Sequence, residues 1–270
     1  SAGARLERLF FIAELGLAAR ISLAVGLGFT LLSLVMLLFG ALGLLHPVAL
    51  LALLAAVIAW GIVPLGKAVP RLARATWQVM RANRLFSLLA GLLLLLALVQ
   101  TLAPPGVNDW DAISYHLAVP KLYAEAGQMH YVPFIKHASQ PFALELVFTL
   151  PAVLGPLAAA QMLHWVFLLL TVLLVYSLAQ RTGKGGGMLA ALLLISAPVI
   201  LWEATIAYID LALVWATLAS LVTLLAAFEQ PKPRLWVLTG LLVGAAIGFK
   251  LSSLMWLVIV CALLLLAGLK

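Results

Sequence analysis

Residues 85–111 read LFSLLAGLLLLLALVQTLAPPGVNDWD, an uncharged apolar run that stops at two prolines and a glycine and opens onto two aspartates. As a helix, residues 85–103 would extend about 28 Å, close to the hydrocarbon thickness of a bilayer. Pro104, Pro105 and Gly106 end it, because proline lacks the amide a helix needs and glycine favours a turn. Residues 106–130, GVNDWDAISYHLAVPKLYAEAGQMH, form the largest polar interruption of the chain. The fold reading follows from treating the run as a crossing and the island as what emerges on the far side.

Composition supports that treatment. Of 270 residues, 66% are hydrophobic and 9% charged, and mean hydropathy is +1.20. That leaves too little polar surface to cover a soluble globule. Apolar runs long enough to cross a bilayer recur from residue 21 to the end, and in lipid they must be helices that satisfy their own backbones. The expected fold is all-α: a polytopic membrane bundle of about eight transmembrane helices, with interfacial helices in an outer loop, 104–156. The crossings are expected at 21–45, 48–66, 85–103, 157–180, 187–201, 205–228, 235–249 and 252–269. Two regions follow. Residues 1–84 hold an amphipathic opening, two helices and a basic connection, and residues 85–270 hold the remaining module.

The net charge of +7 would suggest nucleic acid in a soluble protein, but here the basic residues sit in short connections, where they orient the chain. Lys67, Arg71, Arg74, Arg81 and Arg84 place the connection before residue 85 in the cytoplasm, along with the N-terminus. Segment 141–155, PFALELVFTLPAVLG, is short and bracketed by Pro151 and Pro156, so it reads as an interfacial or re-entrant helix. With that choice, thirteen of the sixteen basic residues fall inside, and only Lys121, Lys136 and Lys250 fall outside. Asp109, Asp111, Glu125, Glu145, Glu203 and Asp210 gather outside, as expected for a site at one membrane boundary.

Three elements could carry chemistry. Asp109 and Asp111 emerge next to the surface, followed by Tyr115 and His116 on a short interfacial helix; an ordinary loop whose aspartates cap that helix is the alternative. Glu203 and Asp210 lie at the outer end of a span. An ionisable group central in a span costs about 2.5–3.5 kcal/mol, so such groups face a cavity or a partner, and a structural pairing with a lysine is the alternative. Lys250, with Ser252 and Ser253 beside it, suits a phosphate, against simple snorkelling to headgroups. Gly240, Gly244 and Gly248 share a helix face and point to close helix packing.

Other patterns exclude themselves. GKGGG at 183–187 lacks the spacing of a phosphate-cradling loop. His116, His130, His137 and His164 form no compact metal pattern. Cys261 is alone, which rules out a disulfide framework.

The motifs NDWDAISYHLAVPKLYAEAGQ, AYIDLALVWATLASL and GLLVGAAIGFKLSS, in this order, resemble the GT-C glycosyltransferases of the dolichyl-phosphate-mannose protein mannosyltransferase type, including their bacterial lipid-modifying relatives. The likeness covers residues 85–270. It implies an inverting transfer of a sugar from a polyprenyl-phosphate donor to an acceptor at the outer face of the inner membrane. Asp109 or Asp111 would be the base, Asp210 would position a substrate, and Lys250 would hold the donor phosphate. Tyr115, His116, Glu203 and Ser252 would complete the binding site. A divalent metal is compatible with Asp-x-Asp but not required. The expected partners are membrane lipid and the lipid-linked sugar, with protein partners under the alternative of a non-catalytic assembly subunit. The two helices before residue 85 depart from the family pattern.

Overall fold

The computed structural model describes residues 15–106, 109–155, 157–183 and 185–268. Arg5, Arg8, Lys184 and Lys270, and the side chains of Lys67 and Arg71, on which part of the charge reading rests, lie outside it. Every regular element described is helical: α1 (Leu17–Ala41), α2 (Pro47–Ala82), α3 (Arg84–Gln100), a π turn (Ala112–His116), α4 (Ala118–Ala126), α5 (Ala143–Leu154), α6 (Ala158–Ala179), α7 (Gly186–Ser196), α8 (Pro198–Glu203), α9 (Asp210–Glu229), α10 (Pro233–Phe249) and α11 (Leu254–Gly268).

Length separates the crossings from the rest. Among the described residues four helices are long and apolar enough to span, over Leu17–Ala41, Ala158–Thr182, Asp210–Glu229 and Leu251–Gly268; a fifth is added if the bent pair Thr76–Ala82 and Arg84–Gln100 counts as one. Four of the eight expected crossings therefore meet the length criterion outright. The segment expected at 187–201 is broken at Ala197 ahead of Pro198 into α7 and α8, because the residue before a proline leaves the helical region. The segment expected from 205 starts only at Asp210, and the basic connection after residue 66 is helical, as the end of α2. Segment 141–155 forms the 12-residue α5 with Pro151 inside it. Such a helix rises only about 18 Å, too little to cross.

The core forms where α6 meets α1, α9 and α10. Phe167 of α6 contacts Phe29 at 5.2 Å, Trp215 at 5.7 Å and Phe249 at 5.9 Å between ring centroids, and Phe167, Trp215 and Phe249 are buried. In lipid, where apolar burial between helices gains little, polar contacts and close approach hold helices together. Trp215 Nε1 donates to Ser22 Oγ at 3.0 Å, and Ser22 Oγ donates to the Leu170 carbonyl at 2.7 Å. Gly26 lets α1 approach the indole, since a Cβ there would lie 1.9 Å from Trp215. The Gly240–Gly244–Gly248 face behaves otherwise than expected. A Cβ at Gly240 or Gly244 would meet nothing within 4 Å, and only Gly248 faces a neighbour, Ala143.

The island is tied to the bundle end. Gly127 ends α4 with φ +69, and backbone bonds from Leu45 to Gly127 O and from Met129 to Gly40 O join it to the α1–α2 turn. Helices α9 and α10 are adjacent in sequence and pack as an antiparallel hairpin, so the start of α9 and the end of α10 meet at that same bundle end.

Candidate functional site

Hairpin arithmetic brings the first pair together. Asp210 opens α9 and Lys250 follows the last turn of α10, each at the helix end that favours its charge. Lys250 Nζ donates to Asp210 Oδ1 at 2.7 Å, both side chains being about one-third exposed. Loop 204–209 holds the start of α9 through α6. His164 Nδ1 meets the Ile206 carbonyl at 2.9 Å, while His164 Nε2 accepts from the Leu211 amide at 3.0 Å. Both bonds together require the neutral tautomer with its proton on Nδ1. Gln161 Nε2 donates to Thr205 O at 2.8 Å. His164 is thus a clamp on the loop that presents Tyr208 and Asp210, a role its sequence position does not signal.

The island supplies the opposite wall. Asp109 Oδ2 accepts from the Gly106 amide at 2.7 Å, so this carboxylate is turned back onto the preceding chain, and neither aspartate side chain caps the helical turn that follows as the capping alternative expects. Asp111 is differently placed. Its amide donates to Tyr208 Oη at 3.3 Å, and its carboxylate acts electrostatically on the Tyr115 phenol. The chain then widens into the π turn, Leu117 N donating to Ala112 O, an irregularity found frequently at functional sites.

Tyr115, His116, Glu145 and Lys250 line a small cavity together with His137, Gln140 and Phe249. The Tyr115 ring lies 4.1 Å from the His116 ring and 4.3 Å from that of His137, centroid to centroid. Burial, then the nearby Asp111 carboxylate, push the Tyr115 phenol well above its ordinary range. His116 Nδ1 and Glu145 Oε1 are 2.8 Å apart and both residues are buried. Glu145 Oε2 has no hydrogen-bond partner among the described residues. Burial, the largest influence, pushes the Glu145 carboxyl up against the opposing pull of His116.

Glu203 stands at the end of α8, its Oε2 buried and without a partner among the described residues. Burial, followed by the charge of Asp210, raises its carboxyl to about 7. Ser252, in contrast, is exposed on the turn after Lys250 and is not part of the cavity lining. Among the described residues, no group of three or more His, Cys, Asp or Glu side chains is arranged to hold a metal ion.

Five of the eight sequence candidates thus gather directly in linked contacts: Asp111, Tyr115, His116, Asp210 and Lys250. Glu203 is coupled to them by charge. Glu145, Tyr208, His137 and His164 join them in the structure. A glutamate inside the apolar run of α5 was the one signal that could have marked Glu145.

Comparison with known proteins adds a family. Residues 140–269 match the family described as dolichyl-phosphate-mannose-protein mannosyltransferase. The match takes in Glu145, Glu203, Asp210 and Lys250, and it begins after Asp109 and Asp111. No curated protein and no solved structure matches the chain. Over residues 140–269, a little under half of its length, this integral membrane chain is therefore similar to the dolichyl-phosphate-mannose-protein mannosyltransferases.

Proposed function

We propose that this chain transfers a sugar from a polyprenyl-phosphate donor to a hydroxyl acceptor, with inversion, at the outer face of a bacterial inner membrane whose cytoplasmic side holds the N-terminus. The observation that carries the proposal is the 2.7 Å contact between Lys250 and Asp210 on the side of the bundle where Asp111 and Tyr115 stand. A cation among carboxylates at one end of the spans is what an anionic lipid headgroup and a hydroxyl nucleophile require together.

In this reading Asp111 takes the acceptor proton as the hydroxyl oxygen bonds to the anomeric carbon. The bond from that carbon to the phosphate oxygen breaks, and the electron pair leaves with the polyprenyl phosphate. Lys250 neutralises the departing phosphate, and Asp210 holds the ammonium in place. Phosphate is already a good leaving group, so one base and one cation suffice without a general acid. Asp109, whose carboxylate is engaged by Gly106, is assigned to the turn and not to proton transfer. No metal is needed for these steps.

Transfer from a polyprenyl-phosphate sugar in proteoliposomes tests the assignment. Asp111→Asn is expected to lower turnover by about 10²–10⁴-fold, the usual worth of a positioned base. Lys250→Met should raise the donor KM. Wild-type turnover in Asp111→Asn would remove the base from this site.

A further inference from the structure

Among the described residues, two side-chain hydrogen bonds tie the stretch 109–116 to the rest of the bundle. His116 meets Glu145 of α5, and the Asp111 amide donates to Tyr208 Oη at 3.3 Å. The second of these reaches the wall that carries the cation, because Tyr208 lies two residues before Asp210, the partner of Lys250. Asp111 and Lys250 are thus joined through one phenol, a short piece of loop and one ion pair. The bonds that Asp109 makes are local, to Gly106, and do not set where Asp111 stands relative to the bundle.

Loop 204–209 is built to hold that phenol still. Ala204, Thr205, Ile206, Ala207 and Ile209 are buried, while Tyr208 is partly exposed. Bonds to α6 fix the backbone on both sides of it: Gln161 donates to Thr205 O, His164 Nδ1 holds Ile206 O, and the Leu211 amide donates to His164 Nε2. The Tyr208 ring has two ring neighbours, His116 at 5.4 Å and Trp202 at 5.9 Å between centroids. Burial, the largest influence, pushes the phenol up against the pull of the Asp111 amide. The oxygen therefore stays a neutral hydroxyl and keeps a lone pair for that amide.

We infer that Tyr208 is the positioning residue for the base: its hydroxyl fixes the Asp111 backbone, and through it the carboxylate, relative to the Asp210–Lys250 pair. The inference rests on the reading of Asp111 as the base. A displacement at carbon needs base and phosphate-holding cation in a set geometry, and a misplacement of about 1 Å can cost on the order of 10²-fold in rate. Tyr208→Phe deletes this one bond and keeps the ring with its neighbours.

Transfer kinetics in proteoliposomes read the effect. Tyr208→Phe should lower turnover on the order of 10–10²-fold and leave the donor KM unchanged, since Lys250 and Asp210 keep their contact. In the Asp111→Asn background the same change should cost nothing further, whereas a general loss of structure would add to the defect. Wild-type turnover in Tyr208→Phe, losses that multiply, or a raised donor KM with turnover intact overturns the inference. Hydrogen–deuterium exchange of the full chain in nanodiscs needs no activity. The segment 109–117 should exchange several-fold faster in Tyr208→Phe, with α9 unaltered. Unchanged exchange overturns the inference even where transfer falls. Faster exchange together with full turnover in Asp111→Asn would uphold Tyr208 as the pin of this stretch and sink the base reading instead, so the two failures are told apart.

Discussion

The His116–Glu145 pair offers the sharpest test of how the site is built. The two residues are 2% and 1% exposed, and their facing atoms are 2.8 Å apart. His116→Leu would leave a buried carboxyl with neither oxygen paired, since Oε2 already lacks a partner among the described residues. Breaking one side of such a pair costs about 3–5 kcal/mol. Glu145→Leu leaves a buried imidazole nitrogen alone and should cost about 1–3 kcal/mol. The double variant His116→Leu/Glu145→Leu removes both polar groups. It should lie within about 1 kcal/mol of wild type or above it, because apolar replacement of a whole buried pair is often neutral or stabilising. Unfolding in mixed micelles of dodecyl maltoside and SDS, followed by tryptophan fluorescence, measures all four proteins. A double variant as unstable as the sum of the singles would refute the pairing. A pH series adds a second reading. Burial raises the Glu145 carboxyl above its unfolded value, so its contribution is full at low pH and is lost as pH rises through the folded value. Glu145→Gln keeps an acceptor for His116 and should lose less stability at high pH than wild type.

Other perturbations follow from the same geometry. The Glu203 carboxyl is raised from 4.5 to about 7, so its ionisation adds a negative charge to the site as pH rises through neutrality. The donor KM should climb over that interval in wild type and stay flatter in Glu203→Gln; identical profiles would separate Glu203 from donor binding. The sign for stability is the same, with loss as pH rises from about 4.5 toward 7. Gly26→Ala places a Cβ 1.9 Å from the Trp215 ring and should destabilise by about 1–3 kcal/mol through overpacking, measured in the same micelle titration. Asp109→Ala removes the acceptor for the Gly106 amide and should cost about 1 kcal/mol of stability. Asp109→Asn should leave transfer near wild type, and a loss matching that of Asp111→Asn would return Asp109 to the chemistry.

What the sequence determined rests on patterns that survive without contacts. Hydrophobic run length requires helices in a membrane. The spacing of two consecutive antiparallel helices is enough to suggest that Asp210 and Lys250 share one end. Tertiary structure decided the rest. It alone distinguishes Asp109 from Asp111, because the two face different neighbours and each choice depends on Gly106, Tyr115 or Tyr208. It alone joins His116 to Glu145, and His164 to the loop before Asp210, because such bonds bridge helices whose rotation about their axes is set by packing. It also broke the expected crossing at 187–201 into two helices and left Gly240 and Gly244 uncovered. Periodicity reports which residues share a face, but only the packed bundle fixes what that face meets.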